Sequence, residues 1–168
     1  VWLKCARVCK VTRSGHPGAL LLLPDFISAV QALLLPLGAD MPMCVAAVPL
    51  VARGIGEQIE TLPQFPALHA VLCWPGVGLE TKRVYQAYRA EGRQLSLVPE
   101  GVSPERLFAS LGATRNVLHQ AAIACSAEVA EALLALESLP GKPFVRMSGS
   151  GACCVAYFAQ AHDAETAA

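Results

Sequence analysis

Charge is scarce in this sequence: only 15% of its 168 residues are Asp, Glu, Lys or Arg, and aromatic residues make up 6%. Thirteen basic residues balance thirteen acidic ones. The chain therefore has no bulk field to gather nucleic acid or an anionic membrane, and neither is expected as a partner. Long apolar runs are also missing. The leucine stretch at Ala19–Leu23 stops at Pro24, far short of the ~20 residues a membrane span needs. It lacks the small-residue cleavage site of a secretory signal as well, so cytoplasm is the expected location. There are seven cysteines but no C-x-x-C pair, and the four histidines are scattered. No metal site is expected from such spacing, and the thiols read as small hydrophobes in a reducing compartment. A Walker A loop, internal repeats and low-complexity tracts are absent too.

What is present is apolar material, 54% of the residues, enough for a buried core. The first eighteen residues receive no assignment, because Lys4, Arg7, Lys10 and Arg13 interleave with Cys5 and Cys9 without a clean period. A helix is expected from Asp25, with Phe26, Val30, Leu33 and Leu34 on one stripe and Pro36 and Gly38 closing it. Met43–Ala47 suits a buried strand, interrupted at Pro49, and Ile55–Glu60 alternates like a strand. Pro63-Gln64-Phe65-Pro66 is a stiff connector and the expected domain boundary. Beyond it, Leu68–Trp74 reads as a strand ended by Pro75-Gly76. Thr81–Glu91 reads as an amphipathic helix with Val84, Tyr85 and Tyr88 on one side. Ser103 caps a helix opened by Pro104. Asn116–Leu139 is mostly helical with a break near Ser126, and strands at Phe144–Met147 and Ala152–Phe158 flank a glycine turn. The order suggests an α+β sandwich, one sheet covered by helices on one face.

Three loops could carry chemistry. Ser148-Gly149-Ser150-Gly151 joins two hydrophobic strands; its glycines allow close backbone approach, and successive N–H groups in such a turn can hold an anion. The same four residues also make a plain hairpin turn. Asp40, between Gly38 and Pro42, could accept a proton from a hydroxyl or orient it, though Asp beside Gly and Pro is also an ordinary turn residue. Pro75-Gly76-Val77-Gly78-Leu79-Glu80-Thr81 leads from a strand into a helix, where ligand-facing groups often sit; a simple connection reads equally well.

The order of these segments is more specific than any one of them. Leu37-Gly38-Ala39-Asp40-Met41-Pro42 followed by Gly54-Ile55-Gly56-Glu57 resembles the L-G-A-D-V-P and G-[IV]-G-E runs of the 4-diphosphocytidyl-2-C-methyl-D-erythritol kinases, a branch of the GHMP small-molecule kinases. Pro75–Thr81 resembles that family's N-P-G-x-x-x-x-T, with Trp74 replacing Asn. Arg146-Met147-Ser148-Gly149-Ser150-Gly151-Ala152 matches R-[ML]-[ST]-G-[ST]-G-A. Arg115-Asn116 resembles R-N-D-L, with Val117 at the usual Asp. The likeness runs from about Pro24 to Phe158.

The resemblance implies a GHMP-kinase C-terminal domain, an antiparallel, ferredoxin-like sheet covered by helices on one face, over 63–168. Residues 1–62 would then be a remnant of the N-terminal domain. It implies ATP-dependent phosphorylation of the 2-hydroxyl of the cytidyl-linked methylerythritol, in the non-mevalonate route to isoprenoid precursors. Mg²⁺ is expected with the ATP. Asp40 would be catalytic, and Thr81, Gly149, Ser150 and Gly151 would border the substrate. The family's G-G-G-S-S-D-A loop, which wraps the ATP phosphates, has no counterpart before Asp40, so the ATP-binding residues are left unassigned. Lys4 lies in a stretch with little likeness to the family's opening strand and its lysine. The expectations that follow are a chain truncated at its end as well, little or no kinase activity from it alone, and self-association through uncovered apolar surface.

Overall fold

In the computed structural model, the described residues are 5–9, 33, 36, 38, 41, 46, 49–54, 56, 58–62, 65–89 and 103–168. They fall into two compact units, one holding residues 5–9 and the described chain from Ala67 onward, the other the described residues between them.

The smaller unit contains a hairpin of β2 (Leu50–Arg53) and β3 (Gln58–Thr61), paired antiparallel from Leu50 opposite Thr61 to Arg53 opposite Gln58. The strand expected from Ile55 thus begins later, because Gly54 and Gly56 lie in the turn with positive φ. Its partner starts immediately after Pro49, which cannot itself donate to a ladder. Arg53 and Glu60 pair diagonally across it at 2.6 Å, but both side chains are half exposed and such pairs contribute little. The expected Asp25 helix lies outside the described residues apart from Leu33, which is helical but 75% exposed rather than buried, and Pro36, which lies in a 3₁₀ turn. So does the Met43–Ala47 strand, apart from Ala46, which is helical.

The larger unit is built on a four-stranded antiparallel sheet in the order β1-β4-β6-β5, from β1 (Cys5–Cys9), β4 (His69–Cys73), β5 (Phe144–Met147) and β6 (Cys154–Phe158). The unassigned opening of the sequence therefore supplies an edge strand. Between β4 and β5 come α1 (Thr81–Ala87), α2 (Pro104–Gly112), α3 (His119–Cys125) and α4 (Ala127–Glu137). A fifth helix, α5 (Ala161–Ala167), follows β6. It was not expected from the sequence, although Asp163 in its first turn is a favourable charge there.

Strand alternation decides which face is covered. Val71 and Cys73 of β4, Met147 of β5, and Cys154, Ala156 and Phe158 of β6 share the face buried by the helices. Against them sit Val84, Ala122, Val129, Ala132, Leu133, Leu136 and Ala164. Small residues on β6 let the helices approach closely, and each large apolar side chain buried here stabilises the fold by roughly 1.5–3 kcal/mol. On the other face, Phe108 of α2 stacks on Phe144 with ring centroids 5.7 Å apart.

Local signals account for most helix ends. Ser103 accepts from the Arg106 N–H and Pro104 opens α2, as expected. Ser126 is extended (φ −157°, ψ 113°), which divides α3 from α4 where the break was expected. Helix α1 stops at Ala87, not Glu91, because Tyr88 turns extended (φ −63°, ψ 133°). That early stop separates the tyrosines: Tyr88 packs on the core, whereas Tyr85 is 60% exposed. They do not form the single apolar side that periodicity suggested.

Candidate active site

The turn between β5 and β6 is closed by two backbone bonds, Ser148 N–H to Cys153 O and Gly151 N–H to Ser148 O, both 2.9 Å. Gly149 (φ +54°) and Gly151 (φ +91°) occupy backbone conformations that favour glycine. Gly151 is also a point of close approach. A Cβ there would come within 3.1 Å of both Leu79 Cδ2 and Met147 Sδ. The N–H groups of Gly149 and Ser150 have no partner among the described residues, so they remain available to a ligand.

Asn116 holds this turn from the side. Its Nδ2 donates to Met147 O (3.0 Å) and Gly149 O (2.7 Å), and its Oδ1 accepts from the Leu118 N–H (3.0 Å). One side-chain amide thus ties the 114–118 segment to the end of β5. Sequence reasoning quoted Asn116 only for its motif likeness and gave it no role in the site; Asn at a turn was the one local signal.

The second loop meets the first. Residues 74–80 leave β4 through Gly76 (φ +82°), and Trp74 Nε1 donates to Val77 O at 3.1 Å. Thr81 then opens α1, and its hydroxyl lies 3.0 Å from that of Ser150. The structure therefore brings together Thr81, Ser150 and the two flanking glycines from segments about seventy residues apart. Two exposed hydroxyls sharing one hydrogen bond can each turn to a ligand oxygen, and unpaired N–H groups lie beside them. Asp40 lies outside the described residues, as does Lys4. Among the described residues no three His, Cys, Asp or Glu side chains converge as a metal site.

Arg146, first residue of the fingerprint, points away from the turn. Its guanidinium donates to Leu111 O (2.9 Å), Thr114 O (3.1 Å) and Thr114 Oγ1 (3.2 Å) and lies 4.8 Å above the Phe144 ring. It satisfies carbonyls at the end of α2, where a cation is favourable. Partial burial lowers its pKa from the ordinary arginine value. The two cysteines that follow this motif are also structural. Burial raises the Cys153 thiol, and burial together with Cys73 and Cys153 pushes Cys154 up to about 12. Neither is a thiolate at neutral pH, so neither is a nucleophile.

The larger unit is an antiparallel α+β sheet packed with helices, in which a glycine-serine turn meets a strand-exit loop; the fold is of the GHMP small-molecule kinase type. Comparison with known proteins gives the particular branch. The chain is 43% identical over 135 residues to 4-diphosphocytidyl-2-C-methyl-D-erythritol kinase of Mesorhizobium japonicum, covering 80% of this chain and 45% of that protein. It is 40% identical over 140 residues to the enzyme of the same name from Roseobacter denitrificans, covering 82% and 47%. A crystal structure of 4-(cytidine 5'-diphospho)-2C-methyl-D-erythritol kinase superposes with a TM-score of 0.55 at 30% identity, over 76% of this chain and 47% of that one. No family model matches the chain. By sequence and fold the chain is a relative of the 4-diphosphocytidyl-2-C-methyl-D-erythritol kinases, and it spans about half the length of those it matches.

Proposed function

We propose that this chain provides the C-terminal part of an active site that transfers the γ-phosphoryl group of ATP to the 2-hydroxyl of 4-diphosphocytidyl-2-C-methyl-D-erythritol. The observation that carries the reading is the meeting of Thr81 with Ser150, since these hydroxyls come from two separate matched motifs. In this reading Asp40 accepts or orients the substrate hydroxyl proton. Thr81, Gly149, Ser150 and Gly151 line the substrate, with the Gly149 and Ser150 N–H groups offered to its oxygens. Phosphoryl transfer asks a protein mainly for positioning and charge stabilisation, which a glycine turn and paired hydroxyls can supply. Mg²⁺ is expected to arrive with the nucleotide. The described residues bring no carboxylate cluster to it, and no step is assigned to the ion.

A second reading, a non-catalytic binding module of the same family, rests on one sequence fact. No G-G-G-S-S-D-A segment stands before Asp40. Without that loop the 168-residue chain would hold ATP poorly while still holding substrate. Titration calorimetry with each ligand, alongside a turnover assay, separates the readings. Substrate binding weakened several-fold in Thr81→Val and Ser150→Ala, with little turnover, is the expected outcome for the isolated chain. Substrate-dependent ATP turnover abolished by Asp40→Asn would refute the module reading. Substrate binding indifferent to both hydroxyl variants would refute the site.

A further inference from the structure

A second concavity lies at the other end of α1 from Thr81. It is an open cleft of about 470 Å³ between the C-terminal end of α1, the 114–121 segment, α4 and β5. Arg89, Arg115 and Arg146 reach it from three separate elements, and Glu137 is the one carboxylate in its lining. For a chain with no net charge, that is a local cationic excess.

The polar contacts of two of these arginines leave their charge uncompensated. Arg89 donates to Gln86 O and Tyr88 O, closing the end of α1. Arg146 donates only to the carbonyls and the hydroxyl of Leu111 and Thr114. Those acceptors are neutral, and among the described residues neither arginine pairs with a carboxylate. The contacts fix both guanidiniums in place while leaving other N–H groups of each fork unused. Between the charges the lining is apolar, from Tyr88, Val117, Leu133 and Val145. Val117 is 44% exposed and stands where the resembled motif carries Asp.

We propose that the cleft is a binding site for a small organic oxyanion whose charged head pairs with the guanidiniums while an apolar body lies against Val117 and its neighbours. Guanidiniums already held by these hydrogen bonds, that of Arg146 also partly buried, favour an oxyanion over water because part of their ordering cost is met in the free protein. The apolar lining adds affinity that a bare inorganic anion cannot gain. The cleft shares Asn116 with the support of the 148–151 turn, but neither Thr81 nor Ser150 lines it.

Titration of 1-naphthyl phosphate into the purified chain tests this, with 1-naphthol and inorganic phosphate as comparison ligands. The ester should bind at least about tenfold tighter than either, and more weakly as salt rises. Val117→Asp puts a carboxylate into the cleft and should weaken the ester about tenfold, clearly more than it weakens 1-naphthol, which loses only the apolar contact. Arg89→Gln should weaken it several-fold, and it decides the matter if the Asp variant does not fold. Ser150→Ala should leave the affinity unchanged. Equal binding of ester and naphthol would overturn the proposal, as would indifference of a folded Val117→Asp variant. Loss of binding in Ser150→Ala instead would also overturn it, by moving the anion to the 148–151 turn.

Discussion

Replacing Gly151 by Ala tests how tightly the candidate site is assembled. Two costs add. At φ +91° an L-residue sits in a region that costs ~1–2 kcal/mol. The new methyl also meets Leu79 Cδ2 and Met147 Sδ, each at 3.1 Å, and Ala122 Cβ at 3.7 Å. The first two are ends of flexible side chains, so they can give way. Forcing each off its preferred rotamer costs about 0.5–1.5 kcal/mol. The sum is roughly 2–5 kcal/mol. Gly149→Ala supplies the control: its φ is +54° but nothing lies within 4 Å of the added Cβ. Only the backbone cost should remain, and any change in unfolded-chain entropy is common to both variants.

Urea unfolding followed by tryptophan fluorescence reads both variants, because Trp74 lies in the loop that Leu79 belongs to. The Gly151 variant should lose about 1–3 kcal/mol more than the Gly149 variant, on the packing costs just given. Its structural consequence should be local, since a displaced Leu79 carries Thr81 away from Ser150. Equal losses for the two variants would refute the close packing of the loops. So would a Gly151 loss that leaves the 74–81 backbone resonances unmoved.

Asn116→Ala removes three hydrogen bonds and leaves the Gly149 and Met147 carbonyls short of a donor, a loss of about 2–4 kcal/mol. Asn116→Asp should not rescue it, because a carboxylate would face those same two carbonyls; chemical denaturation of both variants checks this. Cys154 gives a pH signature. Its folded pKa lies above the ordinary value of 9.0, at about 12, so the unfolded chain releases the proton first. Stability should be unaffected by this group below pH 9 and fall as pH rises from 9 to 12, with a slope of at most ~1.4 kcal/mol per unit. Cys154→Ala should be less stable at neutral pH yet show a flatter alkaline profile in thermal melts.

Short-range chemistry made much of the larger unit legible. Ser103-Pro104 marks a helix start by itself, and the Pro75-Gly76 strand exit needs no tertiary partner either. The break at Ser126 and the turn at Ser148–Gly151 are equally local. Features that depend on distant partners were not legible. β1 is a strand because β4 offers it an edge, and nothing in the spacing of Lys4, Cys5, Arg7 and Cys9 announces that. Tyr85 and Tyr88 differ in burial because the helix stops between them, a boundary that a hydrophobic period does not locate. Asn116 is the clearest instance, since its value lies in two carbonyls some thirty residues away.

Arg146 shows why a motif is not yet a site. In the sequence it stands at the head of a fingerprint that ends in a ligand-facing turn, and it would be natural to assign its charge to phosphate. The fold turns it back instead. Strand alternation puts Arg146 on the face opposite Met147, and its guanidinium closes the carbonyl end of α2 above Phe144. In the proposed reading, what the 148–151 turn offers the substrate is therefore uncharged: glycine backbone, two N–H groups and the Ser150 hydroxyl. Such a turn positions a substrate, but by itself it lacks the positive charge that a triphosphate calls for. The demand falls on residues outside the described turn. In the proposed reading, activity of this chain is thus a question about the ATP side of the site, and substrate binding a question about the Thr81–Ser150 side.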